Sequence, residues 1–342
     1  MQNGRSGMAV ELAQAPDAVR AQPQLLREPL SDLIAWCRET PPNLVVTCAR
    51  GSSAHAATFG KHLIERHLGI PVAAAAPNIA TVYRQRMRLQ GQLLLTISQS
   101  GRSDDLTEFA LMAKAAGART AAIVNDTESP LAAACEIVLP MGAGPETSVA
   151  ATKSFVASLA VLLRLTAEWL DSDPLQAAIG RLPDRLAAAT RLDWTSALDT
   201  LSQADSLVTI GRGPTLAIAR EAALKLKETC DIHAEAFSGA EFQHGPITLV
   251  SKDYPVLIFA VADATSLNLA EVAADLCRKG ASVLITADSG IGTRLPTLVP
   301  DHPDADTLCL IQSFYALAIH LARHRGINVD QPRHLRKVTR TR

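Results

Sequence analysis

Two kinds of stretch in this chain could do chemistry: one offers hydroxyls and glycine at the mouth of a helix, the other gathers carboxylates, lysine and histidine. Ser98-Gln99-Ser100-Gly101-Arg102-Ser103 follows the apolar run Leu93–Ile97 and precedes a helix opening with Asp104-Asp105. Hydroxyls and free backbone N–H groups at a helix N-terminus can cradle a phosphate without a lysine. An ordinary serine-rich turn with Ser103 as N-cap is the other reading of the same residues. Gly51-Ser52-Ser53 closes another apolar run, and two hydroxyl-rich loops at neighbouring strand ends suggest one pocket. In the second stretch, Glu221, Lys225 and Glu228 stand at i, i+4 and i+7 and share a helix face. That pattern serves a surface ion-pair ladder or an acid/base site. Glu228, Asp231, Glu235 and Glu241, with His233 and His244, would be costly to bury unpaired, so they are exposed or functional. His62/His67 and His320/His324 are close in sequence, but only the second pair has i, i+4 spacing and neither has a third ligand, so no metal site is expected.

The elements that must position these residues repeat. A shift of 162 residues carries Gly51 onto Gly213, each closing an apolar run that ends in Arg-Gly, and carries Leu93–Ile97 onto Pro255–Phe259. The hydroxyl-rich loop after Ile97 becomes Ala260-Val261-Ala262-Asp263 in the second copy. Strand and helix patterns alternate in both copies, with helices expected over 54–67, 104–116, about 149–169, 215–229, 267–278 and 304–324. This βαβ rhythm implies parallel sheets covered by helices, with ligand sites outside the carboxyl ends of the strands.

The 342 residues, 48% hydrophobic, suffice for two domains of ordinary size. A net charge of −1 and the lack of a basic stripe interleaved with aromatics argue against a nucleic-acid partner, so any anion must be caught locally. The six cysteines lack C-x-x-C spacing and read as reduced, buried thiols. The first residues lack a signal-peptide core, and no apolar run reads as a membrane span. The expectation is a cytoplasmic protein with no membrane partner.

Six ordered motifs together resemble a known family: Ser98-Gln-Ser-Gly101, Val149-Ala-Ala-Thr-Lys153-Ser-Phe155, Ala223-Leu-Lys225-Leu-Lys-Glu228, Ile232-His-Ala-Glu235, His244-Gly-Pro246 and Asp330-Gln-Pro-Arg333. They are similar to the isomerase half of glucosamine-6-phosphate synthase, the glutamine–fructose-6-phosphate aminotransferase, which is a tandem of sugar isomerase (SIS) domains. The resemblance implies an α/β fold of two flavodoxin-like, doubly wound parallel-sheet domains. It divides the chain into an N-terminal extension (1–30), a first, phosphate-binding domain (31–170), a connector (171–196), a second domain with the acid/base residues (197–326) and a tail over the active site (327–342). No stretch matches the synthase's glutaminase domain, and the loops Cys48–Ser53 and Ser98–Ser103 look most like those of the isomerase-type glucosamine-6-phosphate deaminases. The implied activity is conversion of glucosamine 6-phosphate to fructose 6-phosphate and ammonia without a cofactor, by a homodimer with a shared active site. Related readings are an isomerizing aminotransferase, a fructosamine-phosphate deglycase and a non-catalytic sugar-phosphate sensor. Carried over by position, Ser98, Gln99, Ser100 and Ser103 bind the sugar phosphate beside Gly51, Ser52 and Ser53. Val149 and Ala151 line the sugar, Ala151 replacing a serine of the synthase. Glu228 is the base between C1 and C2, His244 opens the ring, Lys225 orients the reacting oxygens, and Lys337 matches a lysine that forms a Schiff base with ketose substrate.

Overall fold

The apolar runs are strands buried on both faces, as a parallel sheet flanked by helices requires. In a computed structural model describing residues 6–287, 291–335 and 337, the first copy supplies β1 (Val45–Ala49), β2 (Val72–Ala74), β3 (Leu93–Ser98), β4 (Arg119–Val124) and β5 (Ile137–Pro140). They form one parallel sheet in the order β2-β1-β3-β4-β5. The second copy supplies β6 (Ser206–Gly211), β7 (His233–Ser238), β8 (Pro255–Ile258), β9 (Ser282–Ile285) and β10 (Thr293–Arg294), in the order β7-β6-β8-β9-β10. Numbered within its own copy, each sheet reads 2-1-3-4-5, the flavodoxin-like order. The expected α/β architecture of two doubly wound sheets is therefore present.

The duplication extends to register. Val46 faces Leu94 across β1 and β3, and Val208 faces Val256 across β6 and β8, each pair separated by the same 162-residue shift. The next pairing slips by one residue: Leu94 faces Thr120, whereas Val256 faces Val283. The helix after β3 spans Asp104–Ala115 and its counterpart after β8 spans Ser266–Arg278. Phe109 and Ala110 pack on the first sheet with Val46, Leu94 and Ala122. Leu269, Val272 and Leu276 pack on the second with Val208, Val256 and Ile285.

The chain forms two compact units. One, built on β1–β5, holds Gln14–Glu146, Lys153–Gly180 and Lys337; the other, built on β6–β10, holds the residues up to Ala13, Thr147–Thr152 and Arg181–Leu335. The stretch expected as an N-terminal extension is helical over Gly7–Glu39, with Met8, Leu12, Val19, Leu26 and Leu30 buried; residues 1–5 lie outside the described residues. Pro16, Pro23 and Pro29 read as helix breakers, yet the helix runs through all three because its apolar stripe is buried. The connector contains the helix Asp173–Ala189. The long apolar helix starts at Lys153 rather than near Val149, because the Thr147 and Ser148 N–H groups are held by the Glu11 carboxylate at 2.5 and 3.1 Å. Within the carboxylate-rich stretch, His233–Ser238 is an edge strand whose exposed His233 and Glu235 hide its apolar alternation. Pro303–His324 has the length and hydropathy of a membrane span, but 83% of its apolar 18-residue window is buried inside the protein, as in a core helix.

Asp330, from the Asp-Gln-Pro-Arg motif, accepts hydrogen bonds from the first N–H groups of the N-terminal helix, at Gly7 (2.7 Å) and Met8 (2.9 Å). A carboxylate there satisfies amides the helix itself cannot and complements its dipole. Replacing Asp330 with alanine is expected to cost about 1–2 kcal/mol, read as a lower midpoint in chemical denaturation.

Candidate active site

The two hydroxyl-rich loops meet at the point where the strand order reverses. Ala49 and Ile97 are register partners at the carboxyl ends of β1 and β3, so Gly51–Ser53 and Ser98–Ser103 leave adjacent strands on the same edge of the sheet. In this fold that crevice is where ligands bind. Gly51 opens the helix Gly51–Leu68, and Ser103 sits at the N-cap of Asp104–Ala115. Ser103 holds the N-cap position expected of it, but its side chain makes no capping hydrogen bond, which leaves first-turn amides without an internal acceptor from it. The buried Ser98 hydroxyl accepts from the Gly101 N–H at 3.1 Å, and the Ser100 hydroxyl from the Arg102 N–H at 3.3 Å, so both serines shape the loop while keeping their O–H donors. Gly101 adopts φ +61°, and a Cβ there would lie 2.0 Å from Ser129 Oγ. Only glycine permits the turn to be this tight.

Charge in this loop region is balanced locally. The Arg50 guanidinium donates through Nε and Nη2 to the buried Asp105 carboxylate at 3.0 and 2.8 Å, and Arg102 pairs with Asp126 at 2.8 Å. An unpaired Asp105 in the first turn would repel an incoming anion. Burial, reinforced by Asp105, pushes the Cys48 thiol up to about 12, so it is no nucleophile at neutral pH.

On the helix Thr215–Cys230 the ladder reading is overturned, because Glu221 and Lys225 are at the floor of the unit, 0% and 1% exposed. The Lys225 ammonium donates to Glu228 and lies 3.5 Å from Glu221, and the Tyr315 hydroxyl donates to Glu221 at 3.0 Å. Burial pulls the Lys225 pKa down, but Glu221 and Glu228 outweigh it and leave it raised, so the lysine stays an ammonium. Glu228, with a side chain 20% exposed, is the only one of these three charged groups that reaches solvent. Such a set offers a partly exposed carboxylate whose orientation is fixed from below by a buried cation. Tyr315 is the member that sequence reasoning missed; a tyrosine in the mostly buried Pro303–His324 helix was the available signal, since its buried O–H needs an acceptor.

His244 caps the short helix Gly239–Gln243 and is exposed, its own N–H bonded to Glu241 O at 3.0 Å. Val149 and Ala151 are half-buried in the irregular Thr147–Thr152 segment, which belongs to the unit carrying Glu228, not to that of Ser98–Ser103. Lys337 donates to the buried Glu146 at 3.0 Å, and Glu146 also accepts from the Ser154 N–H (3.1 Å) and hydroxyl (2.6 Å). Residues 338–342 of the expected tail lie outside the described residues.

A doubly wound fold used twice, with a hydroxyl-lined switch point in one copy and a buried carboxylate–lysine set in the other, defines a tandem-repeat class of α/β proteins. The chain belongs to the SIS domain family, matching it over residues 41–167 and 200–292. It is 34% identical over 316 residues to the glutamine–fructose-6-phosphate aminotransferase (isomerizing) of Caulobacter vibrioides, covering 86% of this chain and 51% of that protein. A similar match, 34% over 317 residues, is to the enzyme of the same name from Symbiobacterium thermophilum. The chain thus spans about half the length of these curated relatives. Among solved structures, a Silicibacter pomeroyi DSS-3 protein inferred to be a phosphosugar isomerase superposes with a TM-score of 0.92 at 42% identity, covering 95% of this chain and 100% of that one. The glucosamine-6-phosphate deaminase of Thermotoga maritima shares the fold, with a TM-score of 0.74 at 22% identity, covering 96% of this chain and 100% of that one.

The burial gradient along the carboxylate–lysine set separates stability from chemistry. Lys225→Met is expected to cost about 3–5 kcal/mol, because it strands the buried Glu221 charge. Glu228→Gln, at the solvent edge, is expected to cost about 1 kcal/mol or less. Urea midpoints of the two variants check the contrast.

Proposed function

We propose that this protein is an amino-sugar phosphate isomerase and deaminase that converts glucosamine 6-phosphate to fructose 6-phosphate and ammonia. The observation that carries the reading is the buried Glu221–Lys225–Glu228 set, which holds one carboxylate at the solvent edge in a defined orientation. Proton transfer between adjacent carbons needs a base of that kind. The hydroxyl-rich loops at the β1/β3 switch point support phosphate binding by Ser98, Gln99, Ser100 and Ser103 beside Gly51, Ser52 and Ser53. Similarity to aminotransferases whose name specifies fructose 6-phosphate supports the substrate class.

In the proposed sequence, His244 protonates the ring oxygen and the hemiacetal opens to the aldehyde. Glu228 then removes the C2 proton and delivers it to C1, while the amino nitrogen gives up one proton and O1 takes one, which turns the 2-amino aldose into the C2 imine of the ketose. Lys225 fixes the Glu228 carboxylate and, through it, the line of proton transfer. Water adds to the imine carbon and ammonia leaves, giving the ketose phosphate. Val149 and Ala151 line the sugar, and Lys337 meets the ketose carbonyl once it parts from Glu146. We assign the protein to the cytoplasm as a homodimer; the exposed position of His244 fits a residue that serves a partner's substrate.

The 34% identity to isomerizing aminotransferases favours one further reading, in which the same residues run toward glucosamine 6-phosphate with ammonia from another source. Incubation with glucosamine 6-phosphate or galactosamine 6-phosphate, measuring ammonia and ketose phosphate, tests the proposal; silence with both refutes it. Glu228→Gln should lower kcat by about 10²–10⁴-fold with sugar-phosphate affinity nearly intact. Loss of binding instead would make Glu228 structural. Ser100→Ala with Ser103→Ala should act chiefly on KM, raising it about tenfold or more, because phosphate contacts are common to ground and transition states.

A further inference from the structure

The first copy meets the packing problem of the second without charge. The helices Gly51–Leu68 and Thr215–Cys230 follow the two Arg-Gly turns, and each packs against a long helix, Lys153–Leu170 in the unit of β1–β5 and Pro303–His324 in the unit of β6–β10. The shift of 162 residues that carries Gly51 onto Gly213 carries Phe59 onto Glu221 and Leu63 onto Lys225. Phe59 and Leu63 are as deeply buried as the charged pair. Apolar side chains therefore suffice to seat this helix, and replacing a buried ion pair by such residues is often neutral or stabilising. The charges of the second copy answer to something other than packing.

Their arrangement is asymmetric. Lys225 has a carboxylate one turn away on either side, yet its ammonium donates to Glu228, at the solvent edge. Oε1 of the buried Glu221 lies 3.5 Å off, beyond the reach of about 2.7–2.9 Å typical of a charge-assisted bond. Burial alone favours the opposite choice, since attraction between charges strengthens where water is excluded. Tyr315 stands against it. Its hydroxyl donates to that same Oε1 at 3.0 Å, from a helix held in place by the edge-to-face packing of Phe314 on Phe259. A neutral donor on Oε1 satisfies part of the Glu221 charge and leaves less of it to draw the ammonium down.

We propose that Tyr315 is a positioning residue for the proton transfer: by donating to Glu221 it holds the Lys225 ammonium on Glu228 and so keeps the Glu228 carboxylate aimed at the sugar. The inference rests on the reading of Glu228 as the base. Tyr315 is itself fully buried, so its effect falls on the orientation of that base rather than on substrate binding.

The test uses the full-length protein with Tyr315→Phe, which removes one oxygen and keeps the ring. In its crystal structure the ammonium should lie within hydrogen-bond distance of Glu221 and no longer touch Glu228. With glucosamine 6-phosphate, kcat should fall about tenfold or more while KM stays within about twofold, because a misaimed base costs rate and not affinity. Adding Glu221→Gln removes the competing charge, so the double variant should return the ammonium to Glu228 and recover most of the lost kcat. A tyrosine with only a structural role would leave the double variant worse than Tyr315→Phe. Thermal melts identify a variant that has not folded, and if Tyr315→Phe is one, the position of Lys225 in the double variant carries the test. Lys225 still on Glu228 in Tyr315→Phe, an ammonium turned away from Glu228 in the double variant, a loss confined to KM, or a kcat that Glu221→Gln lowers further would each overturn the proposal. The crystal structures need no turnover. Silence of the native protein on amino-sugar phosphates refutes the deaminase reading, and the place of Lys225 in the two variants still decides whether Tyr315 positions it.

Discussion

An ammonium with no access to water must be matched charge for charge, and Lys225 is such an ammonium. Glu221 and Glu228 on its own helix face it from one turn either side, and the deeper of them also accepts from Tyr315 of a different helix, at the same Oε1 that lies 3.5 Å from the ammonium. This fixes the rotation of Thr215–Cys230 on its sheet and the depth of Pro303–His324 beside it. A small rotation of either helix would expose the lysine or strand Glu221, at a cost of several kcal/mol. The solvent edge of Glu228 is thus the visible end of a network whose position is set by burial.

The duplicated sheets show how one scaffold takes on two tasks. Both copies keep an arginine at the end of the first strand and use it to reach the first turn of the helix after the third. Arg50 meets the carboxylate of Asp105, whereas Arg212 meets the amide of Asn268 at 2.5 Å. The tie is common to both copies, so it belongs to the fold. Its partner's charge differs: next to the hydroxyl-rich loop the arginine is neutralised, and next to Ala260–Ala262 it is not.

Much of this was legible in the sequence because buried parallel strands and repeated Arg-Gly turns leave a strong local pattern. The shift of 162 residues, the Ser98–Ser103 loop and the grouping of Glu221, Lys225 and Glu228 all follow from spacing alone. Spacing could not say whether that helix face is wet or dry, since i, i+4 charges look the same on a surface and in a core. Nor could it reveal β7, whose exposed side carries His233 and Glu235, or the N-terminal helix, where three prolines argue locally against what distant apolar contacts enforce. The partners that decide these cases, Tyr315 for Glu221 and Glu146 for Lys337, lie 94 and 191 residues away in the chain.

The hydrogen bonds from Gly7 and Met8 to Asp330 close a loop of more than 320 residues, and Gln312 closes another by donating to Leu12 O across 300. During synthesis, β1–β5 occupy one continuous stretch and can pair as soon as it leaves the ribosome, whereas Gly7 and Met8, in the unit around β6–β10, lack their partner until Asp330 has emerged. Contacts of such long range are slow to form and leave apolar surface uncovered in the interval. A ribosome that stalls or stops short of Pro303 would therefore release a chain with every strand present but without the helix that roofs Glu221, a natural substrate for chaperones and proteases.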